Sequence, residues 1–78
     1  MPHVIVKMHE GRTEDQKRRL ADAITRSVVE IAGCSEAAVS VAVEEYAPEA
    51  WPEAVYRRDI LGRPASLIRP PGYNPFDG

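Results

Sequence analysis

Six of the seven prolines in this 78-residue chain follow residue 47, and that distribution decides where long regular elements can form. Proline lacks an amide hydrogen and clashes with the preceding helical turn, so it interrupts helices and central strands. Beyond Pro48 the chain is punctuated by Pro52, Gly62, Pro64, Pro70, Pro71, Gly72 and Pro75. Only short helices fit there. Pro52 suits the first turn of a helix reaching about Leu61, with Gly62 as its stop, and a turn or two resumes from Pro64 to Ile68. The tail, 70–78, reads as extended, and its sequence does not choose between wrapping a neighbour and staying disordered.

The long elements therefore belong to the first 47 residues. From His3 to Met8 the chain alternates, with Val4, Val6 and Met8 on one face and His3, Ile5 and Lys7 on the other, which predicts a strand. The segment Thr13-Glu14-Asp15-Gln16 has the form of a capping box, and its acidic residues suit the positive end of a helix dipole. A helix is predicted from about Glu14, with an apolar stripe of Leu20, Ile24, Val28 and Ile31 helped by Ala21, Ala23 and Ala32. Gly33 supplies the positive φ that ends it. A second alternating strand follows from about Ala38 to Glu45, with Val39, Val41 and Val43 against Ser40, Ala42 and Glu44. A strand, a helix and a strand joined by so long a crossover predict an α/β unit with parallel strands and a right-handed connection.

Two strands under one helix leave a sheet edge and one sheet face uncovered, and a single domain of residues 1–78 has a marginal core. Partner copies are expected to complete the sheet. Ten basic against twelve acidic residues give a net charge of −2, and the one basic run, Lys17-Arg18-Arg19, lies beside Glu14, Asp15 and Asp22 with no interleaved aromatic rings. A solvated helix face is expected there, with no nucleic-acid partner. Cys34 is the single cysteine, so no internal disulfide and no recognisable metal spacing with His3 and His9 is predicted. No apolar run approaches the roughly 20 residues of a membrane span, and the start of the chain lacks the apolar core of a signal peptide. A reducing cytoplasm is the expected compartment.

The residue with the most distinctive chemistry is Pro2. Were Met1 removed, as a small second residue ordinarily permits, Pro2 would present a secondary amine at the start of a strand. An amine whose pKa is lowered by desolvation or nearby positive charge acts as a base at working pH. Such a nitrogen could take a proton from carbon next to a carbonyl and return it elsewhere. The residue alone does not separate that use from an ordinary proline after Met1.

The surrounding pattern adds to this. Pro2 opening a strand, then Glu10-Gly11-Arg12-Thr13-Glu14-Asp15-Gln16-Lys17, then a helix and a second strand, resembles the 4-oxalocrotonate tautomerase branch of the tautomerase superfamily over roughly Pro2 to Trp51. Pro48-Glu49-Ala50-Trp51 and Pro71-Gly72-Tyr73 resemble a longer, dimeric subgroup of that branch. The resemblance implies a cofactor-independent keto-enol tautomerase with Pro2 as general acid and base, assembled as a homodimer or, alternatively, as a hexameric trimer of dimers.

By the same resemblance Arg12 is the substrate-binding arginine, where its bland reading is a loop residue paired with Glu10 or Glu14. The second-strand arginine of the family falls on Ser40, so one cationic clamp is replaced by a hydroxyl. That departure points away from dicarboxylates and toward a monocarboxylate 2-oxo acid enol of phenylpyruvate type. The aromatic pocket residue falls on Trp51, which also reads as packing. His3 and His9 read as ordinary surface histidines, His3 facing away from Val4 and Val6. The alternatives are a hydratase- or dehalogenase-like enzyme of the same fold, in which a cationic proline acts as an acid, and a non-catalytic oligomeric binding module.

Overall fold

The computed structural model describes residues 1–77, so Gly78, the last residue of the expected tail, lies outside the described residues. The chain divides into two compact units, residues 1–45 and 46–78.

The first unit holds the strand–helix–strand motif. Strand β1 spans His3–His9, helix α1 spans Glu14–Ala32, and strand β2 spans Ser40–Tyr46, ending on the first residue of the second unit. The strands are neighbours in a two-stranded parallel sheet. Their register is visible in two side-chain contacts. His3 Nδ1 lies 2.6 Å from Ser40 Oγ, and Lys7 Nζ lies 4.0 Å from a Glu44 carboxylate oxygen. Both pairs are separated by 37 positions, and a constant separation is what parallel pairing produces. One sheet face thus carries His3, Ile5 and Lys7 beside Ser40, Ala42 and Glu44, with Ile5 49% exposed. Val4, Val6 and Met8 of the other face are half-buried, as the alternation predicts.

Helix α1 starts where the capping box places it. The Thr13 hydroxyl accepts from the Gln16 amide at 3.1 Å, and the Gln16 side-chain oxygen accepts from the Thr13 amide at 2.8 Å. Two of the otherwise unpaired first-turn donors are satisfied in this way. Gly33 ends the helix at φ 73°, ψ 43°, its N–H reaching the Val29 carbonyl, a conformation that Cβ-bearing residues adopt only at a cost. Lys17 spans the helix and β2, donating to Glu45 at 2.7 Å and pairing with Glu14 at 2.8 Å. The hydrogen bond from Lys17 lowers the pKa of Glu14, and the bonds to Glu14 and Glu45 raise that of Lys17.

The helix departs from the predicted stripe at its C-terminal end. Leu20, Ala21, Ile24 and Val28 are half-buried, joined by Thr25 and Val29, but Ala23 and Ala32 are exposed and Ile31 is 85% exposed. Nineteen helical residues rise about 28 Å, whereas a seven-residue strand covers about 23 Å, so the helix is longer than the strands it connects. A short 3₁₀ turn, Glu36–Ala38, occupies the start predicted for the second strand, which begins instead at Ser40. Cys34 is half-buried, its thiol 4.0 Å from the Val28 carbonyl.

In the second unit a helix spans Pro52–Leu61, the bounds read from Pro52 and Gly62. It is wound more widely than an α-helix: the Gly62 N–H closes on the Arg57 carbonyl, five residues back, at 2.9 Å. Gly62 has φ −77°, so its need for glycine is not conformational. A Cβ there would lie 2.5 Å from the Arg58 carbonyl oxygen, closer than real contacts come.

Val55 and Tyr56 are the buried hydrophobic residues among those described, at 3% and 5% exposure. Tyr56 meets the rings of Tyr73 and Phe76 at 5.3 and 6.0 Å, and its hydroxyl donates to the Tyr73 carbonyl at 2.8 Å. Arg57 pairs with Glu53 at 2.7 Å and lies 4.4 Å above the Phe76 ring. This pairing lowers the pKa of Glu53 and raises that of Arg57. A 3₁₀ turn forms at Pro64–Ser66, shorter than the stretch to Ile68 that was expected. The tail packs on the helix of its own unit through Tyr73 and Phe76 and turns at Asn74, whose side chain accepts from the Phe76 amide.

Candidate active site

Pro2 is half-buried immediately before β1. Its carbonyl accepts from the Ser40 amide at 3.1 Å, which ties it to the start of β2, and its missing N–H takes nothing from the ladder. Met1, which acylates the Pro2 nitrogen in the unprocessed chain, is fully exposed. Ser40 is exposed, and its hydroxyl meets His3 on the shared sheet face. Pro2, His3 and Ser40 are therefore one cluster at one end of the parallel pair.

Arg12 is not part of that cluster within one chain. It follows Gly11, whose φ of 120° turns the backbone out of β1, and its guanidinium donates to the His9 carbonyl at 3.3 Å. His3 and His9 end the strand, about 20 Å apart at the usual rise per residue. The sequence-based bland reading for Arg12, a pair with Glu10 or Glu14, is not what forms: Glu14 is taken by Lys17, and no carboxylate pairs with Arg12 among the described residues. An exposed guanidinium without a carboxylate partner retains donors for an anionic ligand.

Trp51 belongs to the second unit. Its indole N–H donates to the Tyr73 hydroxyl at 2.8 Å, and its ring meets Tyr46 edge-on at a centroid distance of 6.1 Å. Two surface cavities of about 150 and 530 Å³ lie in the first unit, both lined by Thr25, Arg26 and Glu36. Neither is lined by Pro2, Arg12 or Ser40.

Sequence reading missed the His3–Ser40 bond. The alternation in each strand places His3 and Ser40 on definable faces, but their meeting depends on register, which a single sequence leaves open. The Trp51–Tyr73 bond was equally hidden, because nothing in the tail's composition aims Tyr73 at Trp51.

Residues 2–54 match the family described as "Tautomerase enzyme". The match begins at the proline that opens β1 and runs through both strands. The chain belongs to the tautomerase family. It is 41% identical over 73 residues to a probable tautomerase of Xylella fastidiosa (strain 9a5c), covering 94% of this chain and 89% of that relative. It is 40% identical over 75 residues to the tautomerase PptA of Klebsiella pneumoniae subsp. pneumoniae, covering 95% and 99%. Among solved structures, TomN, a 4-oxalocrotonate tautomerase homologue of the tomaymycin biosynthetic pathway, matches with a TM-score of 0.63 at 37% identity, covering 83% of this chain and 97% of that one. Membership makes the chain an isomerase of the tautomerase kind. The two curated relatives extend past Trp51 to nearly the full chain, so the family likeness is not confined to the strand–helix–strand unit. No helix among the described residues is long and apolar enough to cross a membrane.

Proposed function

We propose that the processed chain is a cofactor-independent keto-enol tautomerase whose general acid and base is the Pro2 amine, acting on the enol of a monocarboxylate 2-oxo acid of phenylpyruvate type. The observation that carries this reading is the family match that begins at Pro2, on a strand end where Ser40 stands as the neighbouring polar side chain. With Met1 gone, the Pro2 nitrogen is a secondary amine that carries a lone pair whenever it is unprotonated. It takes the proton from the enol oxygen and delivers a proton to the α-carbon at the far end of the double bond as the carbonyl forms, or runs the reverse.

Arg12 grips the substrate carboxylate through two parallel hydrogen bonds. Because it is held at the far end of β1 from Pro2 in its own chain, a second copy supplies it, and the homo-oligomer is part of the site. A homodimer is the assembly that the likeness to the longer subgroup favours, with a hexamer as its alternative. Ser40 hydrogen-bonds the substrate oxygen, and Trp51 offers an indole face to an aromatic substrate ring. Residues 1–78 act together as one cytoplasmic subunit, with no nucleic-acid or membrane partner.

The test follows the ultraviolet absorbance of phenylenolpyruvate after adding protein whose intact mass shows Met1 removed. Accelerated ketonisation supports the reading. A folded, processed oligomer that leaves the buffer rate unchanged would eliminate it and favour the hydratase, dehalogenase or binding-module alternatives.

A further inference from the structure

His3 and Ser40 form the shortest polar contact described at the Pro2 end of the sheet, 2.6 Å between the imidazole Nδ1 and the hydroxyl oxygen. One proton occupies that line, and it belongs to one partner or the other. If the serine supplies it, Ser40 turns only lone pairs outward and repels an oxygen that is gaining negative charge. If the histidine supplies it, the serine proton is free to point at a ligand. The Ser40 amide is already committed to the Pro2 carbonyl, so the hydroxyl proton is the donor this residue has left.

We infer that His3 is a positioning residue for the reaction: its Nδ1–H donates to Ser40 Oγ, and this turns the Ser40 hydroxyl proton toward the substrate's enol oxygen. The inference rests on the proposed tautomerase reading and gives Ser40 a defined direction within it. Three features support it. His3 adjoins Pro2 in sequence, so the imidazole is fixed at the end of the strand where the amine lies. Both side chains are exposed, hence open to a ligand. Nε2 has no partner among the described residues, so none of them forces the opposite tautomer, and a substrate anion selects the arrangement that presents a proton.

The consequence concerns specificity. A hydroxyl whose oxygen accepts from an imidazole N–H is polarised by it, and it serves an oxygen whose charge develops only during proton transfer. A hydroxyl does not offset a second permanent carboxylate as a guanidinium would. Ser40 held by His3 is thus a polarised hydroxyl in place of the second-strand arginine, matched to an enol oxygen. Lys7 and Glu44, the charged residues further along the same sheet face, lie against each other at 4.0 Å.

The test is a kinetic cycle on phenylenolpyruvate ketonisation with His3→Leu, His3→Asn, Ser40→Ala and the His3→Leu/Ser40→Ala double variant. Each of His3→Leu and Ser40→Ala is expected to lower kcat on the order of tenfold with KM within about twofold, and the double variant to fall no further than either. His3→Asn sets an amide N–H where Nδ1 stood and restores most of the rate. Losses that multiply in the double variant, an unchanged His3→Leu, or an Asn variant no better than Leu each overturn the inference.

A turnover-independent readout separates this from failure of the tautomerase reading. In ¹⁵N-histidine-labelled protein saturated with phenylpyruvate, the two imidazoles are told apart with His9→Gln. A proton on Nδ1 of His3 is the expected result even if the wild-type protein ketonises nothing, and a hydrogen-bonded Nε2–H tautomer with bare Nδ1 would refute it.

Discussion

The indole N–H of Trp51 donates to the hydroxyl of Tyr73 at 2.8 Å, across 22 positions of a proline-rich chain. Tyr73 is held in turn through its carbonyl by the hydroxyl of Tyr56, which is only 5% exposed. The tail thus orients the lone tryptophan by a chain of two hydrogen bonds that starts in a buried tyrosine. Removing only the accepting oxygen, in Tyr73→Phe, should cost about 1 kcal/mol in urea unfolding. It should also raise acrylamide quenching of the single tryptophan. An unchanged midpoint and quenching constant would mean that the tail does not hold Trp51.

Gly62→Ala tests the winding of the second helix. A methyl group would meet the Arg58 carbonyl at 2.5 Å, an atom of the backbone that cannot swing aside. A loss of about 1–3 kcal/mol is expected in chemical unfolding, as for other overpacked sites. Gly72→Ala, where added bulk meets nothing within 4 Å, is the control and should stay near wild type. Equal stability of the two variants would contradict the close approach of Gly62 to the Arg58 carbonyl.

The separation of Pro2 from Arg12 along β1 makes a prediction about assembly. Pro2→Ala should lower the ketonisation rate by about 100-fold or more, in line with loss of a positioned acid-base group. Arg12→Leu should lower kcat/KM by about 10-fold or more on a carboxylate substrate. Mixing the two unfolded variants and refolding them together should return roughly a quarter of wild-type activity for a C2 dimer with one intact site per heterodimer. A mixture no more active than its components would place both groups in one chain's site.

Lys17 carries the pH dependence that the ion pairs predict. Glu14 is held below the ordinary 4.5 by its hydrogen bond from Lys17, so its contribution to stability is complete above that value and is lost as pH falls through the lower folded pKa. Lys17 is held above 10.5 by Glu14 and Glu45, so its contribution is complete below that value and is lost as pH rises through the higher folded pKa. Lys17→Met should therefore lower Tm by a few degrees at neutral pH, with the gap to wild type closing at both extremes. A gap independent of pH would indicate packing by the lysine stem instead.

Local physics made much of this protein readable. Thr13 and Gln16 announced the start of α1, Gly33 announced its end, and the bounds of the second helix followed from Pro52 and Gly62, because caps and breakers act over one helical turn. Alternation from Val4 to Met8 gave the correct sheet face, since successive side chains of a strand point to opposite sides. The residues singled out for chemistry rest on a different kind of signal, the Pro2-to-Trp51 resemblance, and the family match bears out the family without testing their roles.

Tertiary structure decided what depends on relative position. The exposure of Ile31, an apolar residue of the predicted stripe, is visible only in the packed structure, and the meeting of His3 with Ser40 comes from register. The tail's return to Tyr56 and Trp51 closes a loop between residues far apart in the chain. Sequence periodicity records which way a side chain points from its own backbone, while these contacts depend on which other backbone lies opposite, and that is determined only when the elements pack.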